Sequence, residues 1–147
     1  MSRKNAEVFD HVMHTAHAWL ADIAEVFGTD DQRFAYRLLR AWLHTIRDRM
    51  TVDEVVHFGA QLPELVRGAY YDGWNPAKAP VKYGQDEFVA RFATEARIPE
   101  SDVPWTAARV SLVMQAHVSP GQLEHALAQL PQWLREIVYG VDLAATR

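Results

Sequence analysis

The sequence predicts an all-α fold, a compact helical bundle made of two similar units in tandem. Apolar residues recur at spacings of three and four, which is the period of an amphipathic helix. No segment shows the sustained alternation of apolar and polar residues that a half-buried strand requires. A four-residue string also occurs twice, and repetition at a fixed offset indicates an internal repeat.

The first two helices are predicted over residues 6–27 and about 31–49. Gly28 directly follows the apolar stripe of the first helix and is a natural C-terminal cap. Thr29 and Gln32 have the spacing of a capping box, so we expect the second helix to begin there. The apolar stripe of the second helix predicts a buried face.

Two shorter helices complete the first unit. Thr51 and Glu54 form another capping-box pattern, which predicts a third helix through about Gln61. Pro63 suits the first turn of a fourth helix, because its fixed φ angle and missing N–H are tolerated there. Residues 72–83 contain a glycine and two prolines and therefore form an irregular linker.

The second unit begins after the linker. A helix carrying Phe88 and Phe92 comes first, and a helix over residues 103–118 follows it. The helix over residues 103–118 is apolar on nearly every side, so we expect it in the middle of the bundle. Ser119 is expected to cap the next helix, and Pro131 opens the last one.

The repeat has a constant offset of 68 residues. The string Ala60-Gln61-Leu62-Pro63 returns as Ala128-Gln129-Leu130-Pro131, and the neighbouring residues return with it: His57 as His125, Arg67 as Arg135, Thr51-x-x-Glu54 as Ser119-x-x-Gln122. We therefore predict one domain over residues 1–147, with internal units at about 6–71 and 84–139 joined by the linker 72–83.

Composition limits the classes of function. The 147 residues include no cysteine, which excludes disulfides and thiolate metal sites and fits the cytoplasm. No apolar run approaches membrane-spanning length, so we expect no membrane association. The net charge of −4 is opposite to that of most nucleic-acid-binding proteins, and we rank nucleic acid last among the partners.

A cationic face is the clearest charge pattern. Arg33, Arg37, Arg40, His44 and Arg47 lie along one side of the second predicted helix. Guanidinium groups suit phosphates and acidic partners, so this face is a candidate interaction surface. Nearby aspartates also permit the simpler interpretation of a solvated, neutralised helix face, which we favour.

An aromatic cluster follows the fourth helix. Arg67, Tyr70, Tyr71, Asp72 and Trp74 combine the residue types that dominate binding hot spots. The alternative is that the rings fold back and fill the seam between the two units, since Tyr and Trp bury well when their polar tips are satisfied. We favour the second interpretation and keep all five as candidate interaction residues.

Five histidines raise the question of a metal: His11, His14, His17, His57 and His125. The first three recur every third residue, a step that drifts around a helix, which favours a polar stripe. Glu54 and His57 have the spacing of di-iron bundles, but Gln122 removes the carboxylate in the second unit. We predict no metal, no cofactor and no catalytic residue. The sequence does not decide whether any of these five histidines binds a metal.

Two sets of strings resemble a known family. The first is Ala60-Gln61-Leu62-Pro63 with Arg67-Gly68-x-Tyr70-Tyr71-Asp72-Gly73-Trp74 and Pro76; the second is Trp19-Leu20 with Leu43-His44-x-x-Arg47-Asp48-Arg49. Over about residues 6–140 the chain resembles a bacterial family, domain of unknown function 2267. Asp72 stands where that family more often has Glu. The resemblance implies a soluble, helical, prokaryotic protein and brings no activity.

The sequence thus favours a non-catalytic protein-interaction or scaffolding module that binds a protein partner or a second copy of itself. Serines lack a nucleophile-elbow pattern and the glycines form no phosphate loop. A small metal- or ligand-dependent enzyme that uses His and carboxylate groups in the bundle is the alternative. Phosphate or nucleic-acid binding through the cationic face of helix 31–49 is the third possibility.

Overall fold

In a computed structural model of the protein, the backbone is described for residues 3–140 and the side chains for residues 7–140. This part of the chain contains eight α-helices, two short 3₁₀-helices and no strand, which confirms the all-α prediction. The α-helices are α1 (Arg3–Val26), α2 (Gln32–Arg49), α3 (Val52–Gly59), α4 (Glu64–Tyr71), α5 (Gln85–Ala96), α6 (Val103–His117), α7 (Gln122–Leu127) and α8 (Gln132–Tyr139). The 3₁₀-helices are Pro76–Lys78 and Glu100–Asp102.

Helix starts in the first half follow the sequence signals closely. Thr51 and Glu54 form the predicted capping box at α3, with hydrogen bonds in both directions. At α2 the cap is Asp31 instead of Thr29, and its carboxylate accepts from two backbone N–H groups. A carboxylate is favoured at this place because it also interacts with the positive end of the helix dipole. The Thr29 hydroxyl accepts from the Asp31 N–H.

The start of α7 differs from the prediction. Gly121, with φ of 84°, is the N-cap, and Ser119 makes no side-chain cap. The Gln122 N–H donates to the Ser119 carbonyl at 3.0 Å, with Pro120 and Gly121 between them. This is the arrangement of a type II turn, which requires a positive φ at its third residue. The turn therefore sets the start of α7.

Two long helices organise the core. α2 packs against α1, α4, α5 and α6, and its predicted apolar stripe is buried. α6 packs against α1, α2, α5 and α8, as expected of a helix in the middle, although Trp105 and Leu112 remain exposed. The two helices meet in the core, where Trp42 Nε1 donates to Ser111 Oγ at 2.9 Å.

The two helical corners, α3–α4 and α7–α8, share several contacts. Pro63 and Pro131 are the N-caps of α4 and α8, each with an extended backbone. Arg67 donates to the Leu62 carbonyl, and Arg135 donates to the Leu130 carbonyl 68 residues later. We propose, in support of the sequence repeat, that these corners are corresponding parts of two units. Among the described helices, none is long and apolar enough to span a bilayer.

Candidate functional site

The two signature strings of the sequence meet at the C-terminal end of α4. His44 Nε2 lies 2.7 Å from the Ala69 carbonyl, and Arg47 Nη1 donates to the carbonyls of Tyr70 at 2.7 Å and Asp72 at 2.9 Å. The last carbonyls of any helix lack intrahelical donors and need partners from elsewhere. Side chains of α2 therefore cap α4.

Acidic groups complete this cap. Glu95 Oε2 on α5 lies 2.7 Å from His44 Nδ1, and Asp48 Oδ1 lies 2.8 Å from Arg47 Nη2. Both ring nitrogens of His44 thus face acceptor oxygens, and both hydrogen bonds form together only when both nitrogens carry a proton. Arg47 is only 4% exposed, and a charge that deep requires such partners. The cluster links α2, α4 and α5.

The outer edge of the cluster reaches solvent. Arg40 donates to Asp72 at 2.8 Å and to the Tyr36 hydroxyl at 3.2 Å, and it lies 3.6 Å from Glu95. The hydrogen bond from Arg40 lowers the pKa of Asp72. Burial alone would lower the pKa of Arg40, but the hydrogen bonds with Asp72 and Tyr36 raise it above its ordinary value. Arg40 therefore stays charged and paired.

The aromatic cluster packs against the α3–α4 corner. Tyr70 is fully buried and donates to the Val55 carbonyl at 2.9 Å, and burial raises the pKa of its phenol. A Cβ at Gly59 would overlap the Tyr71 hydroxyl, so the close approach favours glycine. Trp74 packs against Tyr71, and its indole Nε1 is buried without a hydrogen-bond partner among the described residues.

The predicted interaction residues do not form one continuous surface. Arg67 clamps the α3–α4 corner through the carbonyls of Gly59 and Leu62, and Arg37 donates to the Ala96 carbonyl. The ten divide by exposure: Arg33 and Asp72 are exposed; Arg37, Arg40, Arg67, Tyr71 and Trp74 are half-buried; His44, Arg47 and Tyr70 are buried. Most of their polar groups are therefore already occupied by partners within the chain.

A cavity of about 400 Å³ lies between α2 and α5, beside the buried cluster. Its charged groups are paired: Arg91 lies 2.6 Å from Glu87 and 3.8 Å from Asp48. A general base needs a free lone pair aimed at its substrate. Both ring nitrogens of His44 lie against oxygens of the chain, 2.7 Å from the Ala69 carbonyl and 2.7 Å from Glu95 Oε2. The cavity thus has mixed charge, and His44 is held by contacts within the chain.

An apolar groove lies between α1, α2 and α4. Its volume is about 250 Å³, and its lining is Ala16, Leu20, Tyr36, Leu39, Leu65, Val66 and Ala69. Leu65 is 48% exposed and Tyr36 is 41% exposed. The α1 stripe that supplies Ala16 and Leu20 continues outward to Phe9 and Met13, which are 66% and 46% exposed. Sequence reasoning missed this surface, because periodicity alone does not show which part of a stripe lacks a neighbour.

The histidines lie at separate places. His57 and His125 face each other where α3 contacts α7, whereas His17 Nδ1 bonds Gln32 at 2.8 Å. His11 and His14 are exposed on α1. Within the described residues, no group of three or more His, Asp or Glu side chains is arranged to hold a metal ion.

Comparison with known proteins gives a family. No curated protein matches the chain. The model of a family described as an uncharacterized conserved protein, DUF2267, matches residues 16–137. The matched residues include His44 and Arg47, which cap α4, together with the α3–α4 corner and the aromatic cluster. The chain therefore belongs to the DUF2267 family.

Proposed function

We propose that the protein is a non-catalytic interaction module whose apolar groove binds a second copy of the chain. The observation that carries the proposal is the exposed apolar stripe of α1, which runs from Phe9 and Met13 into the groove at Ala16 and Leu20. A contiguous apolar surface of this kind marks an interaction site on a water-exposed protein.

The border of the groove has the composition of an interface rim. Tyr36 lines the groove, and Arg40 bonds its hydroxyl as well as Asp72. The rim of an interface is polar, and Tyr and Arg are enriched among the residues that carry binding energy. Arg40 and Asp72, both singled out in the sequence, would thus act at the edge of the contact rather than as a phosphate-binding strip.

A second copy fits the stripe by symmetry. Phe9, Met13, Ala16 and Leu20 follow the three-and-four spacing that keeps residues on one side of a helix. If two α1 helices pair antiparallel about a two-fold axis, Phe9 of each copy lies opposite Leu20 of the other, and Met13 lies opposite Ala16. Such a pairing uses the same patch on both copies and covers about 17 Å of helix.

Two further observations support a non-catalytic role. His44, the histidine in the lining of the α2–α5 cavity, has its two ring nitrogens within hydrogen-bond distance of Glu95 and Ala69. Four of the five arginines of α2 are paired with acids or carbonyls, namely Arg37, Arg40, Arg47 and Arg49, which weakens the case for a phosphate site. Among the described residues, the groove and the α1 stripe combine an apolar lining with exposed apolar side chains, at Phe9, Met13 and Leu65.

Sedimentation velocity across a concentration series tests the proposal. We expect wild-type protein to dimerise, and Phe9→Glu and Leu65→Glu to weaken the dimer at least tenfold, because each places a charge in an apolar contact. Leu112→Glu is the matched control: Leu112 is equally apolar and 62% exposed, but lies on α6. A wild type that stays monomeric throughout, or a dimer indifferent to both groove variants, would contradict the proposal.

A further inference from the structure

Two histidines that are distant in sequence and play no part in the proposed function, His57 and His125, meet at the contact between α3 and α7. His57 and His125 have ring centroids 5.3 Å apart and ring planes inclined at 62°. Both side chains are exposed, so a dissolved ion has access to them. The two residues also occupy corresponding positions of the sequence repeat, 68 residues apart.

The separation of the rings matches that of two imidazoles on one tetrahedral ion. A zinc-bound nitrogen lies about 2.0–2.1 Å from the metal, which puts the ring centroid about 3.2 Å away. At the tetrahedral angle, two such centroids are then about 5 Å apart. The observed 5.3 Å thus accommodates one ion between the rings without moving either helix, once a nitrogen of each ring turns toward it.

The pair lies in an open cavity whose lining includes two acidic residues. A cavity of about 290 Å³ is lined by Asp53, Glu54, His57, His125, Ala126 and Gln129. Asp53 precedes His57 by four residues on α3 and so lies on the same side of the helix. Glu54 is already engaged, because its Oε1 accepts from the Thr51 N–H at 2.8 Å.

We propose that His57 and His125 together bind a divalent transition-metal ion of the zinc, nickel or copper type. Imidazole nitrogen is a favoured ligand of these ions, whereas calcium and magnesium prefer oxygen. Within the described part of the chain no three His, Asp or Glu side chains are placed to hold a metal. Two imidazoles are therefore the protein ligands, and water completes the coordination of an exchangeable ion.

Such an ion would join the two helical corners. α3 and α7 come from the two halves of the chain and touch each other directly. A ligand that binds only the folded protein stabilises it by mass action. Binding of the ion therefore strengthens the contact between α3 and α7 and raises the melting temperature.

The test uses Zn²⁺ alone as the probe, with titration calorimetry on the full chain. We expect wild-type protein to bind one Zn²⁺, and His57→Ala and His125→Ala each to weaken binding at least tenfold. The matched control is His11→Ala/His14→Ala, which removes an exposed histidine pair from α1 and should leave the affinity unchanged. Added Zn²⁺ should raise the melting temperature of wild type and of this control, but not of the two site variants.

Circular dichroism checks that each variant is folded, and His125→Asn serves as a second variant if His125→Ala is not. The proposal is overturned if wild type takes up no Zn²⁺, if both site variants bind as wild type does, or if the α1 double variant alone loses binding. None of these outcomes bears on the apolar groove, so the two proposals fail separately.

Discussion

Two helices at corresponding places of the proposed repeat, α4 and α8, begin alike and end differently. Each begins at a proline N-cap, with an arginine clamping the preceding corner. The end of α4 is capped by His44 and Arg47 of α2. The end of α8 is Gly140, which has φ of 67° and donates its N–H to the Glu136 carbonyl at 2.8 Å.

The difference shows what the charged residues of α2 do. The positions 68 residues after His44 and Arg47 are Leu112 and Gln115, both exposed. Where these donors are missing, the C-cap itself is a left-handed glycine, Gly140, whereas α4 has its left-handed glycine, Gly73, one residue after the C-cap Asp72. The cationic pattern of the first unit is therefore largely a capping device. Surfaces for partners are better sought where apolar side chains remain uncovered.

Removal of the Arg47 side chain should have the largest effect on stability. We expect Arg47→Ala to lower the free energy of unfolding by about 3 kcal/mol, because it leaves two carbonyls and a partly buried Asp48 without their donor. Urea denaturation measures the change. Gln115→Ala, at the corresponding place on α6, should stay within about 0.5 kcal/mol of wild type. Equal effects at the two positions would refute the capping role.

Replacement of His44 by leucine gives α2 the residue found at the corresponding position of α6, Leu112. His44→Leu leaves the Ala69 carbonyl without its donor and Glu95 without its closest partner, so we expect a loss of about 2 kcal/mol. Thermal denaturation followed by circular dichroism gives the size of the effect. A leucine tolerated at no cost would mean that α4 does not depend on this cap.

At the end of α8 the critical feature is the positive φ angle of Gly140. Gly140→Ala should cost about 1 kcal/mol, because L residues are strained at a positive φ, and the new Cβ would lie 3.2 Å from Ala108. Gly68→Ala is the control, since nothing lies within 4 Å of its added Cβ. In the middle of α4 it should stabilise by about 0.5–1 kcal/mol. Both effects are measured by urea denaturation, and a neutral Gly140→Ala would contradict the glycine cap.

The smallest effect is expected at Asp72, the exposed residue that follows α4. Its pKa is lowered by Arg40, so the ion pair contributes to stability above the unfolded pKa and is lost as pH falls through the folded one. Wild type should exceed Asp72→Asn in stability near neutral pH and converge with it below about pH 4. Unfolding curves across pH measure this. A gap that persists in acid would rule out the ion pair as its source, and Arg40→Gln should abolish the gap.

Local signals in the sequence predicted local structure well. The capping box of Thr51 and Glu54 and the buried stripe of α2 follow from neighbours within one or two turns. The burial of Arg47 does not follow from such neighbours. Helical periodicity places Arg47 on the same face of α2 as Arg40, but it does not show that the end of α4 covers Arg47. The sequence also contains the turn signal Pro120-Gly121, whereas the Ser119 pattern predicts a side-chain cap that is wrong.

The candidate site could be predicted less well from the sequence, again because its contacts join residues that are distant in the chain. Phe9 and Met13 belong to the α1 stripe, and only the positions of the other helices show that these two side chains are left exposed by the described part of the chain. The approach of His57 and His125 likewise depends on the contact between α3 and α7, which no local pattern encodes. The repeat offset was the one available signal, since it marked the two histidines as corresponding positions.

Amide hydrogen exchange at low and high protein concentration is the sharpest test of self-association through the groove. Concentration should slow exchange in α1 around residues 9–20 and in α4 around Leu65, and leave α6 around Leu112 unchanged. Exchange that is independent of concentration, or protection confined to α6 or to the α3–α7 contact, would contradict the account.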